Sequence, residues 1–124
     1  HLSVSAVIER IRKMEETGVI KEYTIIVDEK KTGNEMTALM EVSLEHPKFF
    51  DSFADAIQKL EYIVSCYYQT GDFDLIIRIS CHSSDELEEI HRQVMSLPGV
   101  DATRTHVVLK NVKNIYSAIR RPDK

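Results

Sequence analysis

The sequence predicts an α+β domain: a four-stranded antiparallel sheet with two helices on one face, in the order β-α-β-β-α-β. An amphipathic helix and an extended linking segment precede it. Three observations carry this. Four stretches place apolar residues every second position, the strand period. Two stretches between them space apolar residues by three and four, the helix period. The middle two strands are joined by a short glycine turn, whereas each outer pair is separated by a helix.

The leading helix is Ser3 to Thr17. Its stripe is Val4, Val7, Ile8, Ile11 and Met14; its other faces carry Ser5, Glu9, Arg12 and Ala6, Arg10, Lys13. Ser3 suits the N-cap, and Gly18 the left-handed position after the helix, with Val19 folding back on Met14. A lone helix of this length is marginal in water, so the stripe calls for an upstream element or a partner. Val19 to Asp28 is β-branched and reads as a strand, followed by the polar loop EKKTGNE.

Met36, Ala38, Met40, Val42 and Leu44 then alternate with Thr37, Glu41, Ser43 and Glu45 as a one-sided strand. Pro47 opens a helix striped by Phe50, Phe53, Ile57 and Leu60. Tyr62 to Gln69 and Phe73 to His82 are strands joined through Thr70-Gly71-Asp72, a turn that sets Cys66 across from about Ile76. The next helix has capping-box spacing at Ser83 and Glu86, a stripe of Leu87, Ile90, Val94 and Leu97, and a Pro98-Gly99 stop. Val100 to Lys110 closes the sheet with Thr103, Thr105, Val107 and Leu109 on one face, and a mixed polar tail follows. This is the ferredoxin-like split βαβ plan, with both helices on one face. Leu39, Ile63, Ile76 and Val108 are expected on the other, bare face, which predicts a dimer with sheets packed face to face.

Composition narrows the function. The chain has 124 residues, 43 % hydrophobic and 29 % charged, with a net charge of −4. That suits one compact domain and excludes nonspecific nucleic-acid binding by the chain as a whole, so any DNA contact must be local. No apolar run is long enough to cross a membrane, and no secretory core is present. Cys66 and Cys81 read as two reduced thiols of a cytoplasmic protein rather than a disulfide or metal pair. The five histidines show no ligand spacing, so no metal and no cofactor are expected.

Three stretches, in order, carry a family resemblance. LSVSAVIERIRKMEETGVIKEYTIIVD resembles the recognition helix and following segment of the Lrp/AsnC (feast/famine) transcription regulators. YYQTGDFDLIIRI is similar to their T-G-D-[YF]-D hairpin, and LPGVDATRTHVVLKNVK to their P-G-V-x-x-T-x-T segment and closing strand. The resemblance implies residues 1–18 as part of a helix-turn-helix DNA-binding domain, 19–34 as linking strand and loop, 35–112 as the effector-binding and oligomerisation domain, and 113–124 as a tail. It further implies a homodimer assembling to an octamer, an amino acid or similar small effector bound between subunits, and double-stranded DNA as partner of the full-length protein. The chain begins with His, and the family's first two helices are not in it; the expectation is a truncated form with impaired DNA binding, because a scaffold helix sets the recognition helix in the groove.

Two candidate sites follow. On the leading helix, Ser3, Ser5, Glu9, Arg10, Arg12 and Lys13 are candidates for base-edge or phosphate contact; from charge alone the same face reads as solvated, because Glu9, Glu15 and Glu16 offset the basic residues. In TGDFD, Gly71 and an Asp ordinarily make only a hairpin turn. The same residues can hold a zwitterion, with turn N–H groups on its carboxylate and Asp72 or Asp74 on its ammonium. The resemblance places Thr70, Gly71, Asp72 and Asp74 at an effector pocket to which Thr103 and Thr105 contribute across the subunit interface. His106 stands where many relatives carry a small polar residue. The competing readings are a stand-alone amino-acid-binding module without DNA binding, against which the leading helix argues, and a small ferredoxin-like hydrolase, for which no phosphate-cradling Arg loop is present. No nucleophile or convergent His accompanies Asp72 and Asp74, so the chain is not expected to be an enzyme.

Overall fold

The computed structural model describes residues 2–120. Its elements are α1 (Val4–Glu16), β1 (Met36–Leu44), a 3-10 turn (Pro47–Phe49) leading into α2 (Phe50–Ile57), β2 (Ile63–Tyr68), β3 (Leu75–Cys81), α3 (Ser84–Met95) and β4 (Val100–Val107). The strands lie in the order β2-β3-β1-β4, every neighbouring pair antiparallel. That is the predicted split βαβ topology: each helix-bearing crossover skips a strand, so the two central strands are β1 and β3.

Alternation decides the two faces. Ala38, Met40 and Val42 of β1 and Leu75, Ile77 and Ile79 of β3 are almost fully buried, together with Phe53 and Ile57 of α2 and Ile90 and Val94 of α3. Every second strand residue therefore points at the helices, and the core is one layer between sheet and helices. The helix ends are capped as their sequences dictate. The Ser83 hydroxyl accepts from the Glu86 amide at 3.3 Å, while the Glu86 carboxylate accepts from the His82 amide at 3.3 Å. Gly99 has φ +84°, and a Cβ there would meet the Phe49 ring at 2.1 Å, so the turn entering β4 admits no side chain.

Several boundaries differ from the sequence expectation. Val19–Asp28 is not a strand, because β structure needs a ladder partner and none lies beside it; Ile25 is 82 % exposed. The first helix is capped as expected, Ser3 Oγ accepting from the Ala6 amide at 3.2 Å, but Val19 stays exposed and the Ile20 amide instead reaches the Met14 carbonyl at 3.0 Å. A register shift between Ile63 and Ser65 puts Ile63 across from Ile79 on the helix-bearing face, where it packs on the core rather than on the open face. The connection from Gln69 to Asp74 sets Tyr68 across from Leu75 and so Cys66 across from Ile77 rather than Ile76. Strand β4 ends at Val107, and Leu109 is fully out in solvent. The β2–β3 connection is longer than three residues, running from Gln69 to Asp74.

Candidate functional site

The connection Gln69–Asp74 is fixed from three directions. The Asp74 amide donates to the Val42 carbonyl at 3.0 Å, and the Asp74 carbonyl accepts from the Gln69 amide at 2.9 Å. Asp74 Oδ2 accepts from the Leu44 amide at 2.8 Å, just where the β1–β4 register shifts. The β1–β3 ladder ends at Val42–Leu75, so the Leu44 amide just beyond it has no β3 acceptor, and the Asp74 carboxylate satisfies it. Gln69 Nε2 donates to Glu41 Oε2 at 3.1 Å and to the Phe73 carbonyl at 3.4 Å.

Thr70, Gly71 and Asp72 remain exposed at the tip, with Gly71 at φ +120°. Among the described residues, the amides of Gly71, Asp72 and Phe73 donate to no protein acceptor, and the Asp72 carboxylate accepts from none. Consecutive free N–H groups beside a free carboxylate form a small two-signed surface: it can accept an anion on the backbone and a cation on Asp72.

Thr103 and Thr105 sit elsewhere in the chain. On β4 they face Val42 and Met40 on the helix-bearing side, and β1 separates them from the turn. Thr103 Oγ1 lies 3.1 Å from His91 Nε2 on α3, a tie between helix and edge strand. One chain therefore gathers Thr70, Gly71 and Asp72, engages Asp74 structurally, and does not bring the two threonines to them.

The residue between the threonines does reach the turn. Arg104 is on the open face opposite Glu41, with Nε and Nη2 each 3.0 Å from Glu41 Oε1. Its guanidinium carbon lies 4.6 Å from the centroid of the Phe73 ring, a cation–π contact. His106 Nε2 is 3.3 Å from the same Glu41 oxygen. Arg104 first, then Gln69 and His106, hold the Glu41 carboxyl below its ordinary value against the opposing effect of burial. This cluster escaped the sequence reading. Its signal was an acid at the centre of a strand's uncovered face with an Arg at the matching register of the closing strand, and register is what the sequence does not print.

Beside this cluster the open face carries a partly apolar groove of about 290 Å³, lined by Leu39, Tyr67 and Ile76 with Ser65, Arg78 and Asn114. Arg78 pairs with Glu29 at 3.5 Å.

On α1 no residue is buried. Arg12 is taken up by Glu9 and Glu16. Among the described residues Arg10 and Lys13 have no acidic partner, and Ser3 Oγ lies 3.2 Å from Ser5 Oγ. Ser3, Ser5, Arg10 and Lys13 thus stay available to solvent, while Glu9 and Arg12 neutralise one another. No group of three or more His, Cys, Asp or Glu side chains suited to a metal ion occurs among the described residues, and no helix there is long and apolar enough to cross a membrane.

Residues 37–117 match the family model described as Lrp/AsnC ligand binding domain. The chain is 38 % identical over 112 residues to the HTH-type transcriptional regulator FL11 of Pyrococcus horikoshii, covering 90 % of this chain and 74 % of that protein. It is 32 % identical over 115 residues to the leucine-responsive regulatory protein of Escherichia coli K12, covering 90 % and 70 %. In fold it is similar to the Neisseria meningitidis transcriptional regulator NMB0573 in complex with L-Met, with a TM-score of 0.90, 22 % identity, and 95 % of this chain and 78 % of that one covered.

Proposed function

The chain belongs to the Lrp/AsnC family of transcription regulators, and from that premise we propose that it is an amino-acid-responsive regulator whose effector carboxylate seats on the amides of Gly71, Asp72 and Phe73 and whose ammonium pairs with Asp72. The observation that carries this is the set of three unpaired consecutive N–H groups beside an unpaired carboxylate, on a turn held rigid by Asp74 and Gln69. A preorganised turn loses little entropy on binding. The name of the leucine-responsive relative and the methionine bound to the Neisseria regulator point to the amino-acid class.

The effector lies between subunits in this reading. Thr103 and Thr105 point to the helix-bearing side and cannot reach the turn of the same copy, so in this reading a further copy, packed at a contact other than the open sheet face, supplies them. Dimerisation uses the open sheet face, where Leu39, Tyr67 and Ile76 lack a covering layer, and it also gives the β-branched run Ile25-Ile26-Val27 a ladder partner. Further assembly to an octamer follows the same family reading. In this reading Ser3, Ser5, Arg10 and Lys13 of α1 face the DNA, with Glu9 and Arg12 as a pair that orients the helix face.

Thermal-shift titration of the chain against each of the twenty L-amino acids tests the proposal, with Asp72→Ala as the paired variant. At least one amino acid should raise the wild-type midpoint and leave the variant's unchanged. A wild type indifferent to all twenty would remove the proposed pocket and leave TGDFD as a hairpin connection.

A further inference from the structure

His91 is a half-buried polar side chain on the flank of a helix, a placement that costs free energy unless a partner repays it. It lies on α3 beside the apolar stripe of Leu87, Ile90 and Val94, and among the described residues its ring has a single polar partner, Thr103 Oγ1 at 3.1 Å from Nε2. No acid pairs with it there: Glu88 and Glu89, its neighbours on α3, are taken by Arg92. Packing does not call for this pair. Two apolar side chains of the same shape would serve the α3–β4 contact about as well. What the contact does fix is a hydroxyl. Thr is stiff at its branched β-carbon, and a hydroxyl has one proton and two lone pairs. The His91 bond uses one of these and sets the direction of the rest. Thr105, two residues on and on the same side of β4, is exposed and has no such tie among the described residues.

We propose that His91 is a positioning residue for the effector: it holds the Thr103 hydroxyl in one rotamer and one polarity for a ligand seated on the turn of another copy. This rests on the assignment of Thr103 to the effector site made above. When Nε2 accepts, the Thr103 proton is committed to the ring, and the oxygen offers lone pairs that suit the ligand ammonium. When Nε2–H donates, the Thr103 proton is turned outward and suits the ligand carboxylate. Either ring form ends the free rotation of the hydroxyl before the ligand arrives, so less ordering is left for binding to impose. His91 touches neither the ligand nor the turn; it acts through Thr103 alone. Removing His91 and removing the Thr103 hydroxyl are therefore one loss, and the two substitutions should not add.

Isothermal titration calorimetry of the full chain, at one pH and one protein concentration, tests this with each of the twenty L-amino acids and then with the one that binds tightest. The proteins are wild type, His91→Leu, His91→Ala, His91→Gln, Thr103→Val and the double variant His91→Leu/Thr103→Val. His91→Leu should weaken binding by at least about fivefold, the ordinary weight of one hydrogen bond. His91→Gln, whose amide carries both a donor and an acceptor at a similar reach, should bind within about twofold of wild type. The double variant should be no more than about twofold weaker than Thr103→Val. Circular dichroism and sedimentation velocity without ligand should show every variant folded and assembled as wild type is; His91→Ala takes the place of His91→Leu if the latter misfolds. His91→Leu binding as wild type does, His91→Gln binding no better than His91→Leu, or a double variant in which the two losses multiply overturns the proposal. So does an affinity lost together with the assembly, because His91 would then serve the contact between copies. A wild type that binds none of the twenty, or a Thr103→Val variant that binds undiminished, overturns the underlying reading instead.

Discussion

Asp72 and Asp74 are two residues apart in one turn, yet the structure gives them separate work, and substitution should separate them. Asp74→Ala removes the acceptor for the Leu44 amide. That donor lies just past the end of the β1–β3 ladder, in a half-buried position, with no β3 carbonyl opposite to replace the lost bond. A hydrogen bond to a charged group contributes about 1.5–3 kcal/mol, and an orphaned part-buried donor costs about 1–3 kcal/mol by itself. These are two views of one loss, so Asp74→Ala should destabilise by about 2–3 kcal/mol. Asp74→Asn keeps an oxygen in the same place and should cost about 1 kcal/mol. Asp72→Ala, at an exposed tip without a partner, should stay within about 0.5 kcal/mol of wild type. Urea unfolding at one fixed protein concentration reads all three as shifts in midpoint at constant slope. The amino-acid response should be lost in Asp72→Ala and retained in Asp74→Asn. If Asp72→Ala is the more destabilised of the two alanine variants, or Asp74→Ala is neutral, the division of labour argued from the hydrogen bonds is wrong.

Other outcomes follow from the same geometry. Phe53→Ala empties the largest fully buried side chain and should cost about 3–5 kcal/mol in the same urea assay. Gly99→Ala forces an L side chain to φ +84° against the Phe49 ring and should cost at least about 1–3 kcal/mol; a neutral variant would show that the Phe49 ring moves aside freely. Burial pushes up the thiol values of Cys66 and Cys81, so iodoacetamide at pH 8 should label half-buried Cys66 slowly and the fully buried Cys81 only on unfolding. Glu41 has a folded value below its unfolded one, so its pairing stabilises the chain above the ordinary glutamate value of about 4.5 and that contribution fades as pH falls through the lower folded value. In Glu41→Gln the stability difference between pH 7 and pH 3.5 should therefore be smaller than in wild type.

The sheet order and both helices of the domain were legible because their signals are local: strand alternation, a three-four helix stripe, a capping box, a Pro-Gly stop. Where a boundary needed a partner, the sequence was silent. Ile25-Ile26-Val27 has every intrinsic strand preference and still lacks a ladder. Ile63 changed faces because a single register shift inverts which side a residue points to. The turn was legible as a turn, but the two aspartates looked alike; only the Leu44 amide left beyond the end of the β1–β3 ladder distinguishes them. Thr103 and Thr105 were placed correctly on one face of their strand, and that face turned out to be the helix-bearing one, across β1 from the turn. The Glu41–Arg104 pair joins residues far apart in sequence through register alone.

The most direct test of the central claim is native mass spectrometry of the chain with and without the pooled twenty L-amino acids. The expected result is an assembly larger than a monomer that changes its subunit distribution and retains one amino acid per turn, with the retained mass lost in Asp72→Ala. A monomer that retains nothing under either condition would contradict both the open-face interface and the effector seat at Gly71–Phe73.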